Sequence, residues 1–397
     1  MLLAWYKRFS SQPHQPFFTS GILFFSLFMI LFIFSYSNIL FLDESILTYH
    51  AYTLIFVVFI QFFLGFLFVV FPRFLMQAEI LEKEYMQQFF LYFFSSFGIF
   101  LTLIFYSKIT FLFQICLLIT QILSFKLLYT IHKKSIIQVK DDTKWILIAL
   151  FVGLISHFLF IISNIDFKYS YFISKIAINS GFYIFLFMIV FTISQRMIPF
   201  FTTAKAQNYK INKSPKLLET IFFLLILKVI ILSFDNPKLN LISDIPFFII
   251  VTKELIKWKL PILKVPAIMW ILYIGLYWIP IALFISIIES LMAFYDSSFY
   301  FEKAVIHTIA LGYFVTLLIG FGTRVILGHS GTTPHANRFA IFIFIAIQFV
   351  TILRIFSSFS MNFAFDYQTF INLTAIILLI VLLLWSSKYV KILLKGK

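Results

Sequence analysis

A chain of 397 residues is long enough for two or three soluble domains, but this one is 62% hydrophobic and only 12% charged, with a mean hydropathy of +1.01. Soluble domains are roughly 45–50% apolar and 25% charged, so a water-soluble fold cannot cover this surface. The single cysteine, Cys116, excludes a disulfide framework, a Cys-ligated iron–sulfur cluster and a Cys-rich zinc site within one chain, and no C-x-x-C-H is present for covalent haem. The net charge of +15 would suggest nucleic acid in a soluble protein. Here the Lys and Arg fall between apolar runs, where they set orientation, so the expected partner is the lipid bilayer and not nucleic acid.

Crossing roughly 30 Å of hydrocarbon takes about 20 mostly apolar residues. Twelve such runs are predicted as spans, the first six near Phe18–Leu40, Leu47–Val70, Phe89–Tyr106, Thr110–Tyr129, Trp145–Asn164 and Ile176–Ile193. The second six lie near Leu217–Phe234, Leu241–Leu255, Ile268–Ile287, Ala304–Leu327, Phe339–Ile355 and Phe370–Trp385. The eighth is the weakest because it carries Asp244, Lys253 and Glu254. Charge counting retains it: with a cytoplasmic N-terminus and twelve spans, 24 of the 31 Lys and Arg fall on the inner side, and dropping the eighth span turns every later loop the wrong way. The first span is too long for a signal-peptide core and is expected to be retained. The fold class expected is all-α: a polytopic integral membrane protein with about twelve transmembrane helices, forming a single transmembrane helical domain over 1–397 with both termini cytoplasmic. Trp5, Trp145, Trp258, Trp270 and Trp385 fall near predicted interfaces, as aromatic belts do.

Arg73, Arg196 and Arg324 end the second, sixth and tenth spans on the inner side, 123 and 128 residues apart. That spacing suggests three repeats of four helices. Arginine snorkelling at any cytoplasmic helix end is the competing explanation.

Ionisable groups inside a bilayer are costly, and few occur here. His50 lies about one turn inside the second span and His307 about one turn inside the tenth, while His157 lies roughly 10 Å below the outer face on the fifth. His14, His132, His329 and His335 fall at or beyond cytoplasmic ends. Two neutral imidazoles at matched depth can fill the axial positions of a haem iron, with Phe-rich surroundings burying the macrocycle, and His50 and His307 are assigned to that use. Two other readings stand beside it: a histidine hydrogen-bonded across a helix interface, and a proton relay. His157 is a further metal candidate, with Ser156 and Ser163 as alternative polar partners. Arg324 to Gly331, which includes His329, can take a copper ion or an anionic group, or form an ordinary solvated loop.

No P-loop, G-x-G-x-x-G or H-E-x-x-H occurs, so nucleotide-driven transport and zinc proteolysis lack their usual signals. Secondary transport is the main alternative function, with the histidines as relay or structural groups. Pro280 in the ninth span and Gly312, Gly320 and Gly322 in the tenth are the places where such a transporter would break its helices.

Several segments resemble the NnrS family: Tyr49-His50-Ala51-Tyr52-Thr53-Leu54, Gln195-Arg196-Met197-Ile198-Pro199, the block from His307 to Gly312 with Thr323 to Gly331, and the opening His14-Gln15-Pro16-Phe17-Phe18. The resemblance runs over essentially the full length. It implies a multi-pass protein of the bacterial cytoplasmic (inner) membrane that contains non-covalent b-type haem and copper and takes part in the response or resistance to nitric oxide and nitrosative stress. It also implies that His50, His307 and His329 match family histidines and that Arg196 and Arg324 match family arginines. Where many members read Trp-His-x-His-Glu-Met, this chain has Tyr52 and Thr53 in place of the second histidine and the carboxylate, which puts copper in doubt. Haem–copper oxidases offer an analogy, since they also carry haem-ligating histidines on spans two and ten. They need further histidines on spans six, seven and ten that this chain lacks, so no oxygen or nitric oxide reduction at a binuclear centre is expected. Whether the chain is an enzyme, a sensor or an electron carrier, and which redox partner serves it, are left open by the resemblance.

Overall fold

A computed structural model describes residues 2–395 apart from 166, 207, 296–297 and 332. The described residues contain no strand. A short helix α1 (Leu2–Phe9) precedes α2 (His14–Tyr36), α3 (Ile46–Phe74), α4 (Glu82–Phe105), α5 (Thr110–Lys134), α6 (Asp141–Ser163) and α7 (Ser170–Thr203). Then come α8 (Leu217–Leu232), α9 (Asn240–Trp258), α10 (Ala267–Tyr295), α11 (Ala304–His329), α12 (Arg338–Phe363) and α13 (Tyr367–Lys395). Termini are marked by ordinary signals. Glu82 and Glu84 occupy the first turn of α4, His132, Lys133 and Lys134 the last turn of α5, and the Asn337 side chain accepts from the Ala340 amide at the start of α12.

Ten of these helices are long and apolar enough to cross a bilayer, and the chain is an all-α, multi-pass membrane protein. All twelve expected spans form helices. The two that fall short do so for different reasons: α8 has only 16 residues, and α9 carries Asp244, Lys253, Glu254 and Lys257. No helix is broken at the prolines and glycines singled out for transport. α10 runs through Pro280, and α11 is continuous past Gly312, Gly320 and Gly322.

The chain packs as two compact units, residues 1–189 with 386–397, and residues 190–385. The boundary falls within α7. In the first unit α2 and α3 approach closely through small residues. A methyl group added at Gly21 would lie 2.9 Å from the Phe62 ring, and one at Gly65 would lie 2.8 Å from the Phe18 ring. Beside this seam Ser20 donates to Gln61, and Gln61 Nε2 donates to Ser96 (3.1 Å) and to the Val57 carbonyl (2.9 Å).

In the second unit Gly275 faces Leu317 and Gly320 faces Leu272, so α10 and α11 meet in the same way. Two tryptophans depart from the expected aromatic belts. Trp258 and Trp385 are fully buried, and their indole N–H groups donate to Glu254 and to Thr323, each at 2.9 Å. An indole with a local acceptor has no need of the headgroup region.

Candidate functional site

Three helices share an unusual backbone feature. α3, α7 and α11 each contain a π-helical segment, at Thr53–Val58, Ser180–Leu186 and Thr308–Val315. Their first residues are 127 and 128 residues apart, close to the 123 and 128 that separate Arg73, Arg196 and Arg324. π segments are rare and concentrate at functional sites. Their recurrence at one period supports three four-helix repeats, with the second helix of each bearing the widened turn. α3 and α7 are also the most buried spans, at 83% of the apolar stretch in each, with α11 at 72%.

The first two widened segments have a polar contact with a neighbouring helix, and the third has one at Thr316, the residue that follows it. Gln121 of α5 donates to the Phe56 carbonyl at 2.9 Å, and Ser156 of α6 meets Ser180 at 2.8 Å. Gln348 of α12 donates to Thr316 at 3.1 Å, while Thr316 itself donates to the Leu311 carbonyl at 3.1 Å.

The two proposed haem histidines sit at the entrances of the first and third π segments. His307 immediately precedes Thr308 and is half-buried, and its Nδ1 lies 3.0 Å from the Lys303 carbonyl one turn earlier. A carbonyl can only accept, so Nδ1 carries the hydrogen and the lone pair resides on Nε2. That is the tautomer an iron ligand needs, oriented as metal-ligating histidines usually are. His50 lies three residues before Thr53, half-buried, with its ring 4.4 Å from that of Phe32. The residue immediately before the segment is Tyr52 on α3 and Asn179 on α7, where α11 has His307. His50 belongs to the first unit and His307 to the second.

His157 has different partners from the serines expected. Its Nε2 lies 2.9 Å from the Tyr52 hydroxyl and its Nδ1 lies 2.8 Å from Gln121 Oε1. Ser156 instead bonds Ser180 and the Val152 carbonyl, and Ser163 bonds the Phe160 carbonyl. A metal at His157 would require one of its two hydrogen bonds to be given up. Among the described residues no three His, Cys, Asp or Glu side chains group as a metal site.

Arg324 lies with its guanidinium carbon 3.7 Å from the centroid of the Phe201 ring, half-buried, and approaches the Met269 sulfur. Arg196 is half-buried on α7, and His329 is half-buried at the last position of α11. Lys213 donates to Gln195, the residue before Arg196. In the connection after α7, Tyr209 donates to the Trp258 carbonyl at 2.7 Å, and burial, reinforced by Tyr273 and Tyr277, pushes its phenol up to about 12. A phenol held neutral there ties the Lys205–Lys216 connection to α9.

A family model described as NnrS protein matches residues 8–397. The chain belongs to the NnrS family. No curated protein matches it. The match takes in all six candidate positions of this NnrS chain: His50, His157, Arg196, His307, Arg324 and His329. Two features of the site were not foreseen for an NnrS chain, the π segments and the pairing of Tyr52 with His157. A widened turn has no composition of its own, but the 123- and 128-residue spacings of the arginines pointed to the helices that carry it.

Proposed function

We infer that this protein is a haem-binding member of the NnrS family in the bacterial inner membrane, acting in the response to nitric oxide. The candidate iron ligands are His50 of the first unit and His307 of the second, each through its own imidazole. The observation that carries this reading is the histidine at the mouth of a π segment on each of two corresponding helices, in a chain that matches the family over residues 8–397. The Nδ1 contact of His307 with Lys303 suits an Nε2 ligand. Bound haem would supply one-electron chemistry, and a site for nitric oxide if one imidazole were released. Arg196, Arg324 and His329 would neutralise an anionic group toward the cytoplasmic side, where the positive-inside count orients their helix ends. Copper has less support, since Tyr52 and Thr53 replace the second histidine and the carboxylate of many members and both nitrogens of His157 are engaged.

The test is the oxidised and dithionite-reduced absorption spectrum of the purified protein with metal analysis on the same sample. Near-stoichiometric iron with a Soret band and sharp reduced α and β bands is expected, and His50→Ala or His307→Ala should remove or convert that spectrum. Unchanged spectra in both variants would end the ligand assignment. A colourless, metal-free protein, still so after expression with added haem and copper, would move the assignment to secondary transport, read as substrate-dependent flux in vesicles.

A further inference from the structure

In the first unit, side chains from three helices form a polar chain inside an aromatic shell. The Tyr52 hydroxyl on α3 lies 2.9 Å from Nε2 of His157 on α6, and Nδ1 of that imidazole lies 2.8 Å from Oε1 of Gln121 on α5. Gln121 Nε2 donates to the Phe56 carbonyl at 2.9 Å, within the first π segment. This last bond fixes the protons of the whole chain. With its NH₂ directed at a carbonyl, Gln121 presents Oε1 as an acceptor, so His157 carries its hydrogen on Nδ1. Nε2 then holds the lone pair, and the Tyr52 hydroxyl must be the donor.

The surroundings exclude water. Tyr52 and His157 have no exposed surface. Phe56 stacks on the imidazole at 4.9 Å and 14°, and Phe160 stacks on the phenol at 4.4 Å and 22°. Gln114, also fully buried, accepts from Asn164 Nδ2 at 3.0 Å through its Oε1, and its Nε2 has no hydrogen-bond partner. Packing alone does not demand this arrangement, because replacing both members of a buried hydrogen-bonded pair by apolar groups of similar shape is close to neutral for stability.

We propose that Tyr52 is a redox-active tyrosine and His157 its proton acceptor. In the step, Tyr52 loses one electron to a strong one-electron oxidant, such as a photogenerated ruthenium(III) polypyridyl complex. Its O–H bond breaks and the proton moves along the existing hydrogen bond to form N–H at His157 Nε2. The products are a neutral tyrosyl radical, an imidazolium and the oxidant reduced by one electron; re-reduction reverses both transfers. Electron loss makes the phenol O–H far more acidic than an imidazolium N–H, so in this dry site the proton passes to the base already hydrogen-bonded to it, His157 Nε2. Gln121 positions the imidazole and accepts from Nδ1–H, with its own dipole oriented by the Phe56 carbonyl to favour the imidazolium.

The proposal does not rest on haem binding, and its test reads a different signal. The full-length protein in detergent, with and without added haem, is oxidised by flash-quench with a ruthenium polypyridyl sensitiser, frozen, and examined by electron paramagnetic resonance. A long-lived neutral tyrosyl signal is expected in the wild type and absent from Tyr52→Phe. His157→Gln can still accept the hydrogen bond but cannot take the proton, and should slow radical formation by about 100-fold or more, the scale of a positioned proton acceptor. Should Tyr52→Phe fail to fold, a fluorinated tyrosine in place of Tyr52 should add fluorine hyperfine structure to the wild-type signal. The proposal is overturned by any of four results: no tyrosyl signal from folded wild type, a signal that persists in Tyr52→Phe, a rate unchanged in His157→Gln, or a spectrum unaltered by fluorination.

Discussion

Lys228 on α8 donates to Asp244 on α9 at 2.7 Å, with 2% and 0% of their side-chain surfaces exposed. Ser286 of α10 donates to the same carboxylate oxygen at 2.5 Å, and Ser243 donates to the other at 3.1 Å, so both oxygens of Asp244 are satisfied. The pair lets a short apolar helix and a charge-bearing one pack side by side. Removing one partner leaves an uncompensated buried charge, so Lys228→Met or Asp244→Leu alone should cost about 3–5 kcal/mol. The double variant should recover most of that loss, because two apolar side chains of similar size replace the pair. Thermal unfolding in detergent, followed by circular dichroism, reads the cycle. Additive losses in the double variant would show that the two charges do not act as a pair.

The same pair marks where the sequence was readable. Twelve helices follow from apolar runs, and α9 was retained only by charge counting, because nothing local says that Asp244 finds Lys228 or that Glu254 accepts from Trp258 and from the Ser214 amide. The positions of His50 and His307 near helix starts were legible, since one-dimensional depth sets them. The partners of His157 were not. Tyr52 and Gln121 lie 105 and 36 residues away, and only packing brings them to the ring in preference to the adjacent Ser156. The π segments were hidden because a widened turn alters hydrogen-bond register without altering hydropathy.

Gly312 lies within the third π segment, directly under Trp278. A Cβ there would fall 2.5 Å from the indole Cγ, and the ring is held by its N–H donating to Gln348 at 2.7 Å, so it cannot swing aside cheaply. Gly312→Ala should therefore destabilise by about 1–3 kcal/mol, the usual cost of overpacking. Gly328, later on the same helix, has no neighbour within 4 Å of its Cβ position. Gly328→Ala should be neutral or stabilise by up to about 1 kcal/mol through helix propensity. The contrast between the two melting temperatures is the check; equal shifts would mean that the indole yields.

Asp366 precedes α13, and its Oδ2 accepts from the Thr369 amide at 3.0 Å and from the Thr369 hydroxyl. These bonds from Thr369 hold the carboxyl below its ordinary range. A depressed carboxyl contributes stability above its unfolded value and loses it as pH falls through the folded one. Amide exchange in the first turn of α13, corrected for intrinsic rates, should rise on acidification below the ordinary carboxylate range. Asp366→Asn should keep the cap and flatten that pH dependence, whereas Asp366→Ala should exchange faster at every pH. Protection in the wild type that does not change with pH would refute the cap.

Arg324 and Phe201 allow charge to be separated from shape. The guanidinium lies 3.7 Å from the ring centroid, a stacked contact that a lysine ammonium cannot reproduce with the same planarity. Arg324→Lys should lose the stacking, about 0.5–2 kcal/mol of stability, while keeping the charge. Phe201→Leu should cause a similar loss from the other side. If Arg324 neutralises an anionic group of a bound haem, Arg324→Met should lower the haem-to-protein ratio more than Arg324→Lys does, because only the former removes the charge. Equal haem retention in the two variants, each measured alongside its melting temperature, would confine Arg324 to packing against Phe201.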